Sequence, residues 1–150
     1  MSDSTTISNP TAGLLRRLGA MVYDTLLVVA IALVVTGALM LATGGTISRQ
    51  QSPIAYFVLR MALILVIVGF FCFFWTRRGQ TLGMAAWRLR LERDDGRKLT
   101  WADALKRLAA ACLSWLPVGL GFLWLLVDPK QLAWHDRLTR TRVTVDPKQP

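Results

Sequence analysis

A single histidine, two cysteines and half as many acidic as basic residues leave this chain of 150 residues poor in the side chains that catalysis, metal sites and disulfide frameworks draw on. The histidine, His135, stands beside Asp136 with no nucleophile placed for it. Neither a G-x-S-x-G elbow nor an H-E-x-x-H helix occurs, so an enzyme is not expected. Cys72 and Cys112 lie in apolar blocks without a second ligand cluster, which argues against a disulfide scaffold and a metal site and predicts buried, reduced thiols. No cofactor is implied: Arg78-Gly-Gln-Thr-Leu-Gly83 has two glycines but not the Walker spacing, and no Lys-Ser/Thr follows. The shortage of acid gives a net charge of +9. The basic residues flank apolar runs instead of forming a patch interleaved with exposed aromatics, so the expected partner is not nucleic acid but anionic lipid headgroups.

Apolar sequence is abundant, and it comes in blocks. One hundred and fifty residues make one domain, and hydropathy gathered in blocks marks an integral membrane protein. Leu18 to Leu41 is long enough to cross a ~30 Å hydrocarbon core. Ile54 to Thr76, opened by Ser52-Pro53, is a second span; it closes with Phe70, Phe71, Phe73, Phe74 and Trp75 and then Arg77 and Arg78, an aromatic belt with a charge anchor. Arg16 and Arg17 before the first run resemble a leader. The run is too long for a signal h-region, carries Asp24 and lacks a small-x-small cleavage site, so it is expected to remain as the first span. Residues 1–12 and 147–150 read as disordered tails around a single membrane domain, 13–146. Residues 77–108 hold nine Lys/Arg against four acids, whereas the connection from 42 to 53 holds only Arg49. The positive-inside rule then puts the N-terminus and the middle loop in the cytoplasm.

Asp24 is the most informative residue, because a carboxylate inside a span costs on the order of 2.5–3.5 kcal/mol and calls for a bundle-facing or water-facing site. It is either a structural acid hydrogen-bonded across helices or a transport or proton-relay group. Arg60 is not its expected counter-ion: in antiparallel spans the two sit roughly 15 Å apart along the membrane normal, and Arg60 is expected to snorkel to the outer headgroups. The partner of Asp24 is expected from Arg17, from Arg77 or Arg78, or from the C-terminal third. Arg17 and Asp24, seven residues apart, project from nearly one face about 10 Å apart, with small Ala20 between them.

Thr100-Trp-Ala-Asp103 reads as a capping box with Asp in place of Glu. On the helix that follows, Asp103, Lys106, Arg107, Ala110 and Ser114 form a polar and small face, and Leu105, Leu108, Ala109, Cys112, Leu113 and Leu116 an apolar one. As one continuous span, residues 101–128 would be about 42 Å long and would carry the basic tail outside, against the charge rule. An interfacial or re-entrant segment turning back at Pro117-Val-Gly119-Leu-Gly121 is favoured; a tilted, kinked span is the alternative. Trp87-Arg-Leu89-Arg-Leu91-Glu and Arg140-Thr-Arg142-Val143-Thr-Val145 alternate apolar and polar residues. They predict a small cytoplasmic β-ribbon with Leu89, Leu91, Val143 and Val145 on one face. The fold class is thus an all-α membrane protein with two transmembrane helices, a third apolar segment and that ribbon.

Three pieces in this order resemble the RDD family of bacterial membrane proteins: Arg17-Leu-Gly-Ala20-x-x-x-Asp24, Arg78-Gly79-Gln-Thr81-Leu-Gly83, and Trp134-His135-Asp136-Arg137-Leu138 followed by Thr141-x-Val143. The resemblance covers about residues 13–146. It implies Arg17, Asp24 and Asp136 as the name-giving positions, a place in the cell inner membrane, and a function generally described as unknown or transport-related. Where the family pattern has Lys after Gly83 this chain has Met84, so no role tied to that lysine carries over. Arg60, Arg78 and His135 are secondary candidates. Asp136 is expected to cap its local turn and to pair with Arg137 or with a middle-loop base such as Arg78.

Three functions follow. The chain is a transport-related subunit using Asp24 as a proton or cation site, a non-catalytic scaffold or assembly partner whose polar residues specify packing, or a sensor of anionic headgroups. Two or three spans make a pathway through one monomer hard to build, so a homo-oligomer or a membrane-protein partner is expected.

Overall fold

The structure is a computed structural model, and it describes residues 10–45, 47–48, 50, 52–116 and 119–146. Two long helices dominate it. The first, α1 (Leu14–Ala42), and the second, α2 (Pro53–Arg78), are both long and apolar enough to cross a membrane. Helix α2 begins with a proline, whose missing N–H is no loss at a first helical position, and stops at Gly79. Gly79 takes φ 67°, a left-handed conformation that a Cβ disfavours, and its N–H returns to the Trp75 carbonyl at 3.1 Å. Along both helices large apolar side chains such as Leu26, Leu33, Ile64 and Leu65 are exposed. The buried residues of α1 are Arg17, Ala20 and Asp24, which fall three and four apart on one stripe.

After α2 come a five-residue helix, α3 (Leu82–Ala86), and strand β1 (Leu89–Arg93). Helix α4 (Trp101–Trp115) opens with the expected capping box: Asp103 N–H donates to Thr100 Oγ1 at 3.2 Å and Thr100 N–H to Asp103 Oδ2 at 2.9 Å. A short helix α5 (Leu120–Leu123), a 3-10 turn (Trp124–Leu126), helix α6 (Trp134–Thr139) and strand β2 (Thr141–Val145) complete the chain.

The ribbon forms as its alternation predicts. Strands β1 and β2 are antiparallel, with Leu89 opposite Val145 and Leu91 opposite Val143. Their shared face joins Trp75, Leu99, Ala104 and Leu108 in the core, so α4 and the end of α2 cover a ribbon that would be marginal alone. Residues 10–12, read from sequence as part of a disordered tail, instead lie along the far edge of β2. Val145 N–H donates to the Pro10 carbonyl at 2.9 Å and Ala12 N–H to the Val143 carbonyl at 2.8 Å. Residues 1–9 and 147–150 lie outside the described residues.

Helix α4 is packed polar side in. Ala104, Arg107, Ala110 and Ser114 are buried, while Leu105, Cys112, Leu113 and Leu116 are exposed. Lipid in place of water as the outer solvent gives this arrangement a physical reason. Cys112 therefore corrects the expectation of two buried thiols; only Cys72 is buried. The segment 101–128 is not one helix. Gly119 takes φ 79°, and Gly121 returns against α4, where a Cβ would lie 2.7 Å from the Ser114 Cβ. Pro117, the expected break point, lies outside the described residues. Because β2 pairs with β1, the chain before and after 101–128 sits side by side.

Candidate functional site

Two of the buried carboxylates join the first half of α1 to the segments after α2. Asp24 is one. Its Oδ2 accepts the Thr81 hydroxyl at 2.5 Å and its Oδ1 the Gly83 N–H at 2.8 Å. Thr81 is also the cap of α3, its Oγ1 accepting the Met84 N–H at 3.2 Å. The hydroxyl thus accepts from its own helix and donates to the span. Gly83 is needed for the approach, since a Cβ there would sit 2.8 Å from the Asp24 carboxyl carbon.

Asp136 is the other, and it carries most of the charge. Arg17 Nη1 meets its Oδ2 at 2.5 Å and Arg107 Nη2 its Oδ1 at 2.6 Å. Arg17 also donates through Nε to the Ala12 carbonyl at 3.0 Å and through Nη2 to the Gln131 carbonyl at 3.2 Å, while Arg107 reaches the Thr141 hydroxyl. Asp136 caps its own turn by accepting the Ala133 N–H at 3.1 Å. One carboxylate so ties α1, the 10–12 edge, α4, α6 and the start of β2. Burial alone would raise the Asp136 pKa, but the Arg107 and Arg17 guanidiniums outweigh it and hold the carboxyl well below its usual range.

His135 packs beside this cluster, its ring 4.6 Å from that of Phe122 and its Nδ1 3.4 Å from Ser114 Oγ. Burial, and then the Arg107 charge, lower its pKa to about 4. It is a neutral packing histidine near pH 7. The Arg107 guanidinium also lies 5.7 Å from the centre of the Trp75 ring, a cation–π contact.

A half-open cavity of about 290 Å³ separates the two carboxylate clusters, with Arg17, Asp24, Thr81, Arg107 and His135 among polar lining residues and Met21, Phe71 and Leu108 among the apolar ones. No group of three metal-ligating side chains occurs among the described residues.

The sequence-derived candidates therefore separate. Arg17, Asp136 and His135 come together; Asp24 forms a second cluster across the cavity. One expectation needs correction: the partner of Asp24 is not an arginine or the C-terminal third but the hydroxyl and amide of the middle loop, which satisfy a buried carboxylate without burying a cation beside it. Asp136 caps its turn as expected, and among the bases of residues 77–108 it pairs with Arg107 instead of Arg78, and not with Arg137. Arg137 is drawn to Asp128, and Arg78 is exposed at the end of α2. Arg60 stands over the Tyr56 ring of its own helix, 5.3 Å from its centre, and Asp24 is held by Thr81 and Gly83 instead. Arg107, Thr81 and Gly83 were not singled out as site residues. Arg107 was legible only as a member of the polar face of α4, and Thr81 and Gly83 only as parts of a motif without a partner.

The family model described as the RDD family matches residues 11–140, and the chain belongs to that family. No curated protein and no solved structure matches it. With its two apolar helices, the chain is a membrane protein of the RDD family.

Proposed function

We propose that this RDD-family chain is a non-catalytic, multi-pass scaffold of the cell inner membrane with a cytoplasmic N-terminus. Its polar residues lock a cytoplasmic cap onto a two-helix hairpin, which then packs against a second copy or another membrane protein. The carrying observation is that Asp24 and Asp136 each have both oxygens occupied by fixed donors from other elements. Such groups serve as fasteners. Helices α1 and α2, with apolar side chains exposed along their length, supply the lipid- and partner-facing surface.

A second reading, proton or cation coupling at Asp24, is favoured by the cavity that reaches its carboxylate. Purified protein in proteoliposomes separates the two. A scaffold gives no ion or proton flux above empty vesicles, and Asp24→Asn still inserts and assembles. Flux that Asp24→Asn abolishes, with assembly intact, would overturn the scaffold reading.

A further inference from the structure

Beyond the two carboxylate clusters, the most unusual chemistry lies where α2 ends against the outer face of the ribbon. A cleft of about 450 Å³ opens there, and its lining holds seven Lys/Arg side chains against one acid, Glu92. Some of that charge is neutralised locally. Arg90 faces Asp146 at 3.6 Å, and Arg93 is held by Asp95 and Asp103. The rest is not. Arg77, Arg78 and Lys98 make no ion pair among the described residues, and Arg97 meets Asp95 through its backbone N–H, the Asp95 oxygens being taken by the Arg93 fork at 2.9 and 2.7 Å. Arg142, on β2 opposite Glu92, adds a second kind of observation. Its Nε is buried and has no hydrogen-bond partner, and it stands 3.9 Å from Glu92, beyond hydrogen-bond length.

A buried guanidinium N–H without an acceptor carries a desolvation cost that a bound anion would remove. The positive-inside rule asks for cations on this side of a membrane; it does not ask that they converge on one hollow with an unmet donor in its wall. Guanidinium forks match the oxygens of phosphate in a way that ammonium groups do not. We propose that this cleft binds a phosphate-bearing anion, contacted by Arg78, Arg97, Lys98 and Arg142. The phosphate is that of a lipid headgroup or of a soluble phosphorylated compound. The inference does not rest on the scaffold reading, because none of these residues belongs to either carboxylate cluster.

The test uses the full chain in nanodiscs of zwitterionic phosphatidylcholine, titrated with inorganic pyrophosphate, and the same chain in nanodiscs containing phosphatidate, read by lipid retention in native mass spectrometry. Pyrophosphate binding in zwitterionic discs identifies a soluble source; retained phosphatidate without pyrophosphate binding identifies a headgroup. In whichever arm binds, the double variant Arg97→Gln/Lys98→Gln is expected to weaken binding by about tenfold or more. Both side chains are exposed in the irregular segment between the turn at 94–96 and α4, so folding is not at stake. Arg142→Lys keeps the charge and loses the fork, and is expected to cost about fivefold. Arg16→Gln and Lys106→Gln, exposed bases outside the cleft, should change binding less than twofold. Absence of binding in both arms, or equal losses in the control variants, would overturn the proposal.

Discussion

The Gly83 N–H donates to Asp24 Oδ1 at 2.8 Å across fifty-nine residues of sequence, joining a carboxylate in the first half of α1 to the first turn of α3. A carboxylate in α1 is thereby satisfied by a peptide N–H and by the hydroxyl of Thr81, both presented at the start of a helix, where donors otherwise go unused. The geometry leaves no room for a side chain at position 83. Gly83→Ala should therefore force the two elements apart and cost about 1–3 kcal/mol. Thermal unfolding in detergent checks this against Gly69→Ala, where a Cβ meets nothing within 4 Å and no comparable loss is expected.

Substitutions at Asp24 should divide by hydrogen-bonding capacity. Asn retains one carbonyl for Gly83, and its amide can donate to a reoriented Thr81 hydroxyl, so Asp24→Asn should assemble normally. Leu leaves the Thr81 O–H and Gly83 N–H buried and unmet, at about 1–3 kcal/mol for each donor. A double-mutant cycle of Asp24→Leu with Thr81→Val measures the coupling: the pair should be clearly less damaging than the sum of its members. Additive losses would show that the bond across the helices contributes nothing.

At the second cluster the acid matters more than either base. Asp136→Asn removes the carboxylate shared by Arg17 and Arg107, leaving two buried cations without compensation among the described residues, and should cost about 3–5 kcal/mol. Arg17→Met leaves the Arg107–Asp136 pair in place and should cost less. The order of the two melting temperatures checks the assignment; the reverse order would place the burden on Arg17 alone.

The buried histidine makes the fold sensitive to mild acid. His135 is held near a pKa of about 4 against an ordinary value of 6.5, so its contribution to stability is fully present above pH 6.5. Between pH 6.5 and about 4 the unfolded chain takes up the proton and the folded chain does not, and stability falls with pH by up to about 3 kcal/mol. Asp136, whose pKa is also depressed, acts in a lower window, losing its contribution as pH falls below the usual carboxylate range. His135→Gln should flatten the upper window and leave the lower one. A melting-temperature series across pH, with the wild type and this variant superimposable, would rule the histidine out.

Periodicity carried much of the architecture. The alternation around Leu89 and Leu91, and again around Val143 and Val145, placed both strands and their shared face, and Thr100 with Asp103 marked the start of α4. Spacing also put Arg17, Ala20 and Asp24 on one stripe. Partners could not be read in the same way, because which donor reaches a carboxylate depends on how distant segments dock. Arg107 lies twenty-nine residues from Asp136 and Thr81 fifty-seven from Asp24. Composition misled for Cys112, since an apolar residue facing lipid and one facing a core look alike in sequence.

The backbone pairing settles one relation that charge counting left open, and it can be tested on the intact chain. Pro10 to Ala12 bond to β2 and β2 bonds to β1, so these three segments lie on the same side of any membrane that α1 and α2 cross. The residues between them and the turn at Gly44 and Gly45 are separated by a full span on each side. Single cysteines introduced at Thr11, Gly96 and Asp146, in a chain whose Cys72 and Cys112 are replaced by Ser, should react with a membrane-impermeant thiol reagent from one face only, and a cysteine at Gly44 from the other. On the cytoplasmic orientation proposed above, only Gly44→Cys should be labelled from outside in intact cells. Labelling of Asp146→Cys from the same side as Gly44→Cys would mean that residues 101–128 cross the membrane once, and the β1–β2 pairing with the arrangement of the whole C-terminal third would have to be abandoned.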